Sequence, residues 1–146
     1  MSGLHLVVDA ANGAASGLAE RLFEDLGARI TSIASSPDGA NINRDCGATA
    51  PKRLAEQVRV SGADGGLALD GDADRCLLVD ETGNILDGDD VLLGWARQLE
   101  AEGRLDGRKV VATVMNFGRR RLTAPYRIAS WRSARLRRRP FFLASS

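Results

Sequence analysis

Asp70, Asp72 and Asp74 alternate with Gly71 and Ala73, and Arg75 follows at once. Three carboxylates at this spacing repel one another unless a cation or the guanidinium offsets them. Carboxylate oxygens are the donors that hard divalent ions select, and Mg²⁺ in particular takes a few of them while keeping water or a phosphate oxygen. A metal site explains the pattern better than a solvated acidic turn does, because an apolar strand-like run stands on each side of it.

Two kinds of metal loop could place aspartates this way. Asp70, Asp72, Asp74 and Glu81 fall at positions 1, 3, 5 and 12 of an EF-hand, but the sixth position, where the sharp turn needs glycine, is Arg75. The flanks read as strands, not helices. A D-x-D phosphatase of the haloacid dehalogenase type would use the first aspartate as nucleophile. That class expects threonine or valine close behind the second aspartate, where this chain has Ala73-Asp74-Arg75.

The loop needs a strand to deliver it, and Gly65 to Leu69 is short and apolar enough to be one. Leu4 to Val8 reads as a buried strand, and Ser16 is placed to cap a helix to Leu26 with Leu18, Leu22, Phe23 and Leu26 on its buried face. Arg29 to Ile33 completes a strand–helix–strand unit. Ser36 to Gly39 is a turn, Asn41 to Gly47 a polar loop, and Thr49 a cap for a helix from Pro51 to about Val60. Cys76 to Val79 and Asn84 to Leu86 flank a hairpin turn. Asp87 caps a helix from Gly88 to about Glu102, with Val91, Leu92, Trp95, Ala96 and Leu99 expected inside, and Lys109 to Met115 is the last clear strand. Alternating strands and helices predict an α/β fold, a three-layer α/β/α domain with a mostly parallel sheet. Ligands in such sheets sit beyond the carboxyl ends of strands, where Asp70 stands.

Charge divides the chain in two. The formal net charge of its 146 residues is +1, yet nine of the 20 Lys+Arg lie in residues 119–146, which contain no acid, leaving residues 1–118 at −8. The expected organisation is an α/β domain over 1–118 and an Arg-rich tail over 119–146. Loss of acids and of apolar periodicity together favours a tail that is out of frame, disordered or irregular over a basic arm that binds nucleic acid. Cys46 and Cys76 are thirty positions apart with no C-x-x-C, so neither a disulfide framework nor a zinc site is expected. No apolar run approaches the roughly 18 residues of a membrane span, and the N-terminus lacks a basic region before its short apolar stretch. A cytoplasmic location without membrane contact is the expectation. Asn12 to Gly17, Asp87, Asp89, Asp90 and His5 are read as turn, capping and packing residues.

Leu69-Asp70-Gly71-Asp72-Ala73-Asp74-Arg75 resembles the D-G-D-x-D-R metal loop of the α-D-phosphohexomutase family. Val8 to Ala14, Asn41-Ile42-Asn43 and Cys46-Gly47-Ala48-Thr49 look like the bacterial glucosamine-phosphate branch of that family more than its mannose- or glucose-phosphate branches, which stay as alternatives. The resemblance runs from Leu4 to about Gly118 and corresponds to the second of four domains. It implies that Asp70, Asp72 and Asp74 hold Mg²⁺, that Arg75 clamps a phosphate oxygen or neutralises the aspartates, and that the partners are a phosphosugar and a phosphoserine from a first domain. The reaction implied is interconversion of glucosamine 6-phosphate and glucosamine 1-phosphate through a bisphosphate. No serine here stands in the family's T-A-S-H-N-P context, so the polypeptide alone is expected to be inactive. A non-catalytic Mg²⁺-binding module and a pseudogene product remain alternatives, and self-association through exposed interdomain faces is the expected cost.

Overall fold

The computed structural model describes residues 1–112 and 127–130. They belong to two compact units, Met1–Asp87 and the residues from Gly88 onward. The first unit contains β1 (His5–Asp9), α1 (Leu18–Asp25), β2 (Arg29–Ile33), α2 (Lys52–Ser61), β3 (Gly65–Leu69), β4 (Cys76–Asp80) and β5 (Ile85–Leu86). Its sheet has the order β2-β1-β3-β4-β5. β1 runs parallel to both β2 and β3, while β4 and β5 are added antiparallel. This is the expected α/β architecture, with a parallel centre and a hairpin at one side.

Alternation along β1 builds a core on each face of the sheet. Val7 packs with Leu54, Val58, Ala68 and Val79 under α2, while Val8 packs with Ala10, Ala15 and Ala19 under α1. Gly66 brings α2 close: a Cβ there would stand 2.7 Å from Val58 Cγ2 and 2.8 Å from Leu54 Cδ1. Two helix details depart from the sequence expectation. Leu18, Leu22 and Leu26 are exposed, and the buried line of α1 is Ala15, Ala19 and half-buried Phe23. Both lines repeat every four residues, and the small side chains are the ones that let the helix lie against the sheet. Ser16 does not cap α1 either. Gly17 enters the helix at φ 72°, its N–H donates to Ser35 Oγ at 3.1 Å, and Ser16 Oγ is buried without a hydrogen-bond partner.

Thr49 likewise does not cap α2; it lies in a 3-10 turn, Gly47–Thr49, and its hydroxyl donates to the Cys46 carbonyl. Asp80 organises the β4–β5 turn. Its Oδ1 accepts from Thr82 N, Thr82 Oγ1 and Asn84 N, and its Oδ2 from Asn84 Nδ2.

In the second unit, α3 (Gly88–Ala101) contributes Ala96 and half-buried Leu93 to a small core with Val110 and Leu105. Val91 and Trp95, expected inside, are exposed. β6 (Lys109–Ala112) pairs in parallel with β7 (Arg127–Ser130), which falls within the segment read as an Arg-rich tail. The rest of that tail, and the end of the strand expected to reach Met115, lie outside the described residues. Among the described residues, no helix is long and apolar enough to cross a membrane.

Candidate metal centre

The aspartate loop is the connection of an antiparallel pair. Leu69 at the end of β3 stands opposite Cys76 at the start of β4, so Asp70 to Arg75 must turn within six residues. Asp70 makes the turn possible. Its backbone carbonyl accepts from Ala73 N at 3.0 Å, its Oδ1 accepts from Arg75 N at 3.1 Å, and its Oδ2 accepts from Arg75 Nε at 2.6 Å. Ala73 sits in the left-handed region at φ 61°, which carries the chain between Asp72 and Asp74.

The three carboxylates converge. Each offers an oxygen, and these lie within 4.8 Å of one another, with Asp70 buried and Asp72 and Asp74 exposed. Burial pushes the Asp70 carboxyl up, but hydrogen bonds from the Arg75 backbone and guanidinium and from Asp74 outweigh it and hold the group below its ordinary value. Asp74 moves the other way, raised first by repulsion from Asp72 and then from Asp70. The hydrogen bond to Asp70 is the main cause of Arg75 being held above its usual value. Arg75 Nε is also 3.5 Å from Asp74 Oδ1, and the side chain is 75% exposed. An all-oxygen donor set that repels itself, with one carboxylate fixed at the base and two reaching solvent, fits a hard divalent cation.

Two other loops hold this one in place. Ala14 N donates to the Gly71 carbonyl at 2.8 Å, and a Cβ on Gly13 would collide with that same peptide. Asn43 N donates to the Ala11 carbonyl at 2.9 Å, and a Cβ on Gly71 would press on Ile42 and on Asn43 Nδ2. Asn12 and Asn41 act as loop organisers: Asn12 Oδ1 accepts from Ser36 N, and Asn41 bonds Asp38 N and the Ser36 carbonyl. Buried Cys46 accepts a long 3.8 Å contact from Asn12 Nδ2. An open cavity of about 330 Å³ borders the loop, lined by Ala48, Thr49, Arg75, Cys76 and Leu77.

Sequence reasoning overlooked Asp9. It is fully buried, with Oδ1 accepting from Ala11 N and Oδ2 from Gly47 N, both at 2.9 Å. The available signal was an aspartate closing an otherwise apolar strand. His5, at the opposite end of β1, is a packing residue as expected, buried with its Nε2 2.8 Å from Thr31 Oγ1.

A doubly covered α/β sheet that presents three aspartates and an arginine after a central strand has the donor set of a candidate divalent-cation site. Residues 1–83 match the phosphoglucomutase/phosphomannomutase family, alpha/beta/alpha domain II, and the chain belongs to that family. Among curated relatives it is 52% identical to a phosphoglucosamine mutase of Exiguobacterium sp. over 114 residues, covering 78% of this chain and 25% of the relative. It is 47% identical to the phosphoglucosamine mutase of Ruegeria pomeroyi over 135 residues, covering 92% of this chain and 30% of that one. The chain thus spans about a quarter to a third of the length of these relatives. A solved structure of a phosphoglucomutase/phosphomannomutase family protein from Burkholderia thailandensis aligns with TM-score 0.65 and 32% identity, over 77% of this chain and 25% of the other.

Proposed function

We propose that this chain supplies the Mg²⁺-binding part of a phosphoglucosamine mutase active site. The convergence of Asp70, Asp72 and Asp74 oxygens within 4.8 Å, beside an exposed Arg75, carries the reading. The aspartates would hold the ion, which when bound supplies Lewis acidity toward a phosphoryl group in transfer. Asp70 keeps the loop turned and Arg75 oriented. Arg75 retains guanidinium N–H groups beyond the Nε that bonds Asp70, and these suit a phosphate oxygen arriving from solvent. In the full reaction, glucosamine 6-phosphate and glucosamine 1-phosphate interconvert by way of a phosphoserine and a bisphosphate. The phosphoserine and the sugar contacts belong to other parts of such an enzyme.

The test is a hybrid in which residues 1–118 replace the matching stretch of the Exiguobacterium relative. Mutase activity on glucosamine 6-phosphate with a glucose 1,6-bisphosphate primer is expected from the hybrid and not from the 146-residue polypeptide alone. Asp72→Asn should cut the hybrid's activity at least a hundredfold. An active Asp72→Asn hybrid would remove the metal role. Parallel assays with mannose and glucose phosphates check the two other branches of the family.

A further inference from the structure

We propose that Asp9 is the positioning residue of the metal loop, a buried carboxylate that sets the spacing of three loops so that Asp70, Asp72 and Asp74 converge. The inference rests on the metal-binding reading of those aspartates.

A fully buried carboxylate is costly unless it is hydrogen-bonded, and Asp9 meets that cost with backbone N–H groups from two different segments. It stands at the carboxyl end of β1, between Ile33 of β2 and Ala68 of β3. One oxygen fixes Ala11, whose own carbonyl receives Asn43 N, and a Cβ on Gly71 of the metal loop would press on the Asn43 side chain. The other oxygen fixes Gly47 at φ 68°, where a Cβ would collide with the Leu69 carbonyl, one residue before Asp70, and with Ala11 Cβ. One arm therefore reaches Gly71 of the loop by way of Asn43, and the other reaches the Leu69 carbonyl at the loop's entrance. Left-handed backbone at alanine, which has no polar side chain to favour it, occurs at Ala11 and Ala73 on these segments and at Ala34 just after β2. Such conformations persist only where the surroundings over-determine them.

An asparagine at position 9 keeps the shape but replaces one acceptor with an NH₂ donor, so either Ala11 N or Gly47 N loses its partner. The experiment uses the full 146-residue chain, with Mn²⁺ titration by calorimetry and amide hydrogen exchange in metal-free buffer. Asp9→Asn is expected to weaken Mn²⁺ binding about 10- to 100-fold, as changes behind metal ligands commonly do. It should also speed exchange at Gly47, Asn43 and Ala14. Asp64→Asn is the structural control, because Asp64 accepts from His5 N at the other end of β1; it should leave both readouts unchanged.

Parent-like Mn²⁺ affinity in Asp9→Asn, with affinity lost in Asp72→Asn, overturns the proposal. Unaltered exchange at Asn43 and Ala14 overturns it as well. If Asp72→Asn binds as the parent does, the metal reading is what fails, and the exchange data alone then decide whether Asp9 braces the loop. Should Asp9→Asn not fold, Gly47→Ala separates the same loops with the carboxylate intact; retained affinity in that variant counts against the proposal.

Discussion

Asp74 is raised by repulsion from Asp72 and Asp70, so the metal-free loop holds its charge at a cost that a cation would remove. Its elevated value means that stability is lost as pH rises through that value in the absence of metal, and that metal binding must displace a proton at low pH. Affinity for Mg²⁺ is therefore expected to fall as pH drops through the raised Asp74 value, as calorimetric titration at several pH values would show. Thermal melts should separate the two effects. Mg²⁺ at a hundredfold over its Kd stabilises a protein by about 2.7 kcal/mol, and Asp72→Asn should lose most of that gain while melting no lower than the metal-free parent. Asp80 gives the opposite pH signature. Hydrogen bonds from the Thr82 hydroxyl and then the Asn84 side chain lower it from 3.8 to about 2. Its contribution to stability is complete above the ordinary value and is lost as pH falls toward about 2. In Asp80→Ala the acid limb of the stability curve should flatten between about pH 4 and 2, a change visible by circular dichroism, because that window lies between the unfolded and folded values.

Packing of α2 onto the sheet depends on the bare Cα of Gly66, so Gly66→Ala should destabilise by about 1–3 kcal/mol through overpacking. A denaturant melt measures this, and Mg²⁺ affinity should hold, since the change lies under the helix and away from Asp70. Most elements were legible in the sequence. The strand before Asp70, the strand–helix–strand unit and the antiparallel hairpin all announced themselves through short apolar runs and turn residues. What failed was choosing between equivalent lines on a helix. Leu18, Leu22 and Leu26 have the same four-residue repeat as Ala15, Ala19 and Phe23, and of the expected face only Phe23 packs inward. The caps failed because backbone took their place: Gly17 turns left-handed at the start of α1, and a 3-10 turn absorbs Thr49 before α2. In the site, the cluster of Asp70, Asp72 and Asp74 was legible from their alternation, whereas the place of Asp9 was not. Its two bonds reach Ala11, two residues away, and Gly47, 38 residues away, and only the folded chain brings the second within range.

For the molecule as a whole, the exposed leucines of α1 set the expected solution behaviour. Leu18, Leu22 and Leu26 are 66%, 55% and 50% exposed on one line of the helix, enough for an apolar stripe. Sedimentation of the 146-residue chain should show concentration-dependent association, and Leu22→Lys should reduce it without lowering the melting temperature. Unchanged association in that variant would place the sticky surface elsewhere. The position of the aspartate loop also bears on the order in which the fold assembles. Leu69 and Cys76 close a short local hairpin, so the rims of the loop can meet early and at little entropic cost. The Asp9–Gly47 bond spans 38 residues and waits on the parallel pairing of β1 with β3. A chain caught midway in folding would thus carry the three aspartates on a formed turn but lack the brace behind them, and tight chelation would emerge only with the last long-range contacts.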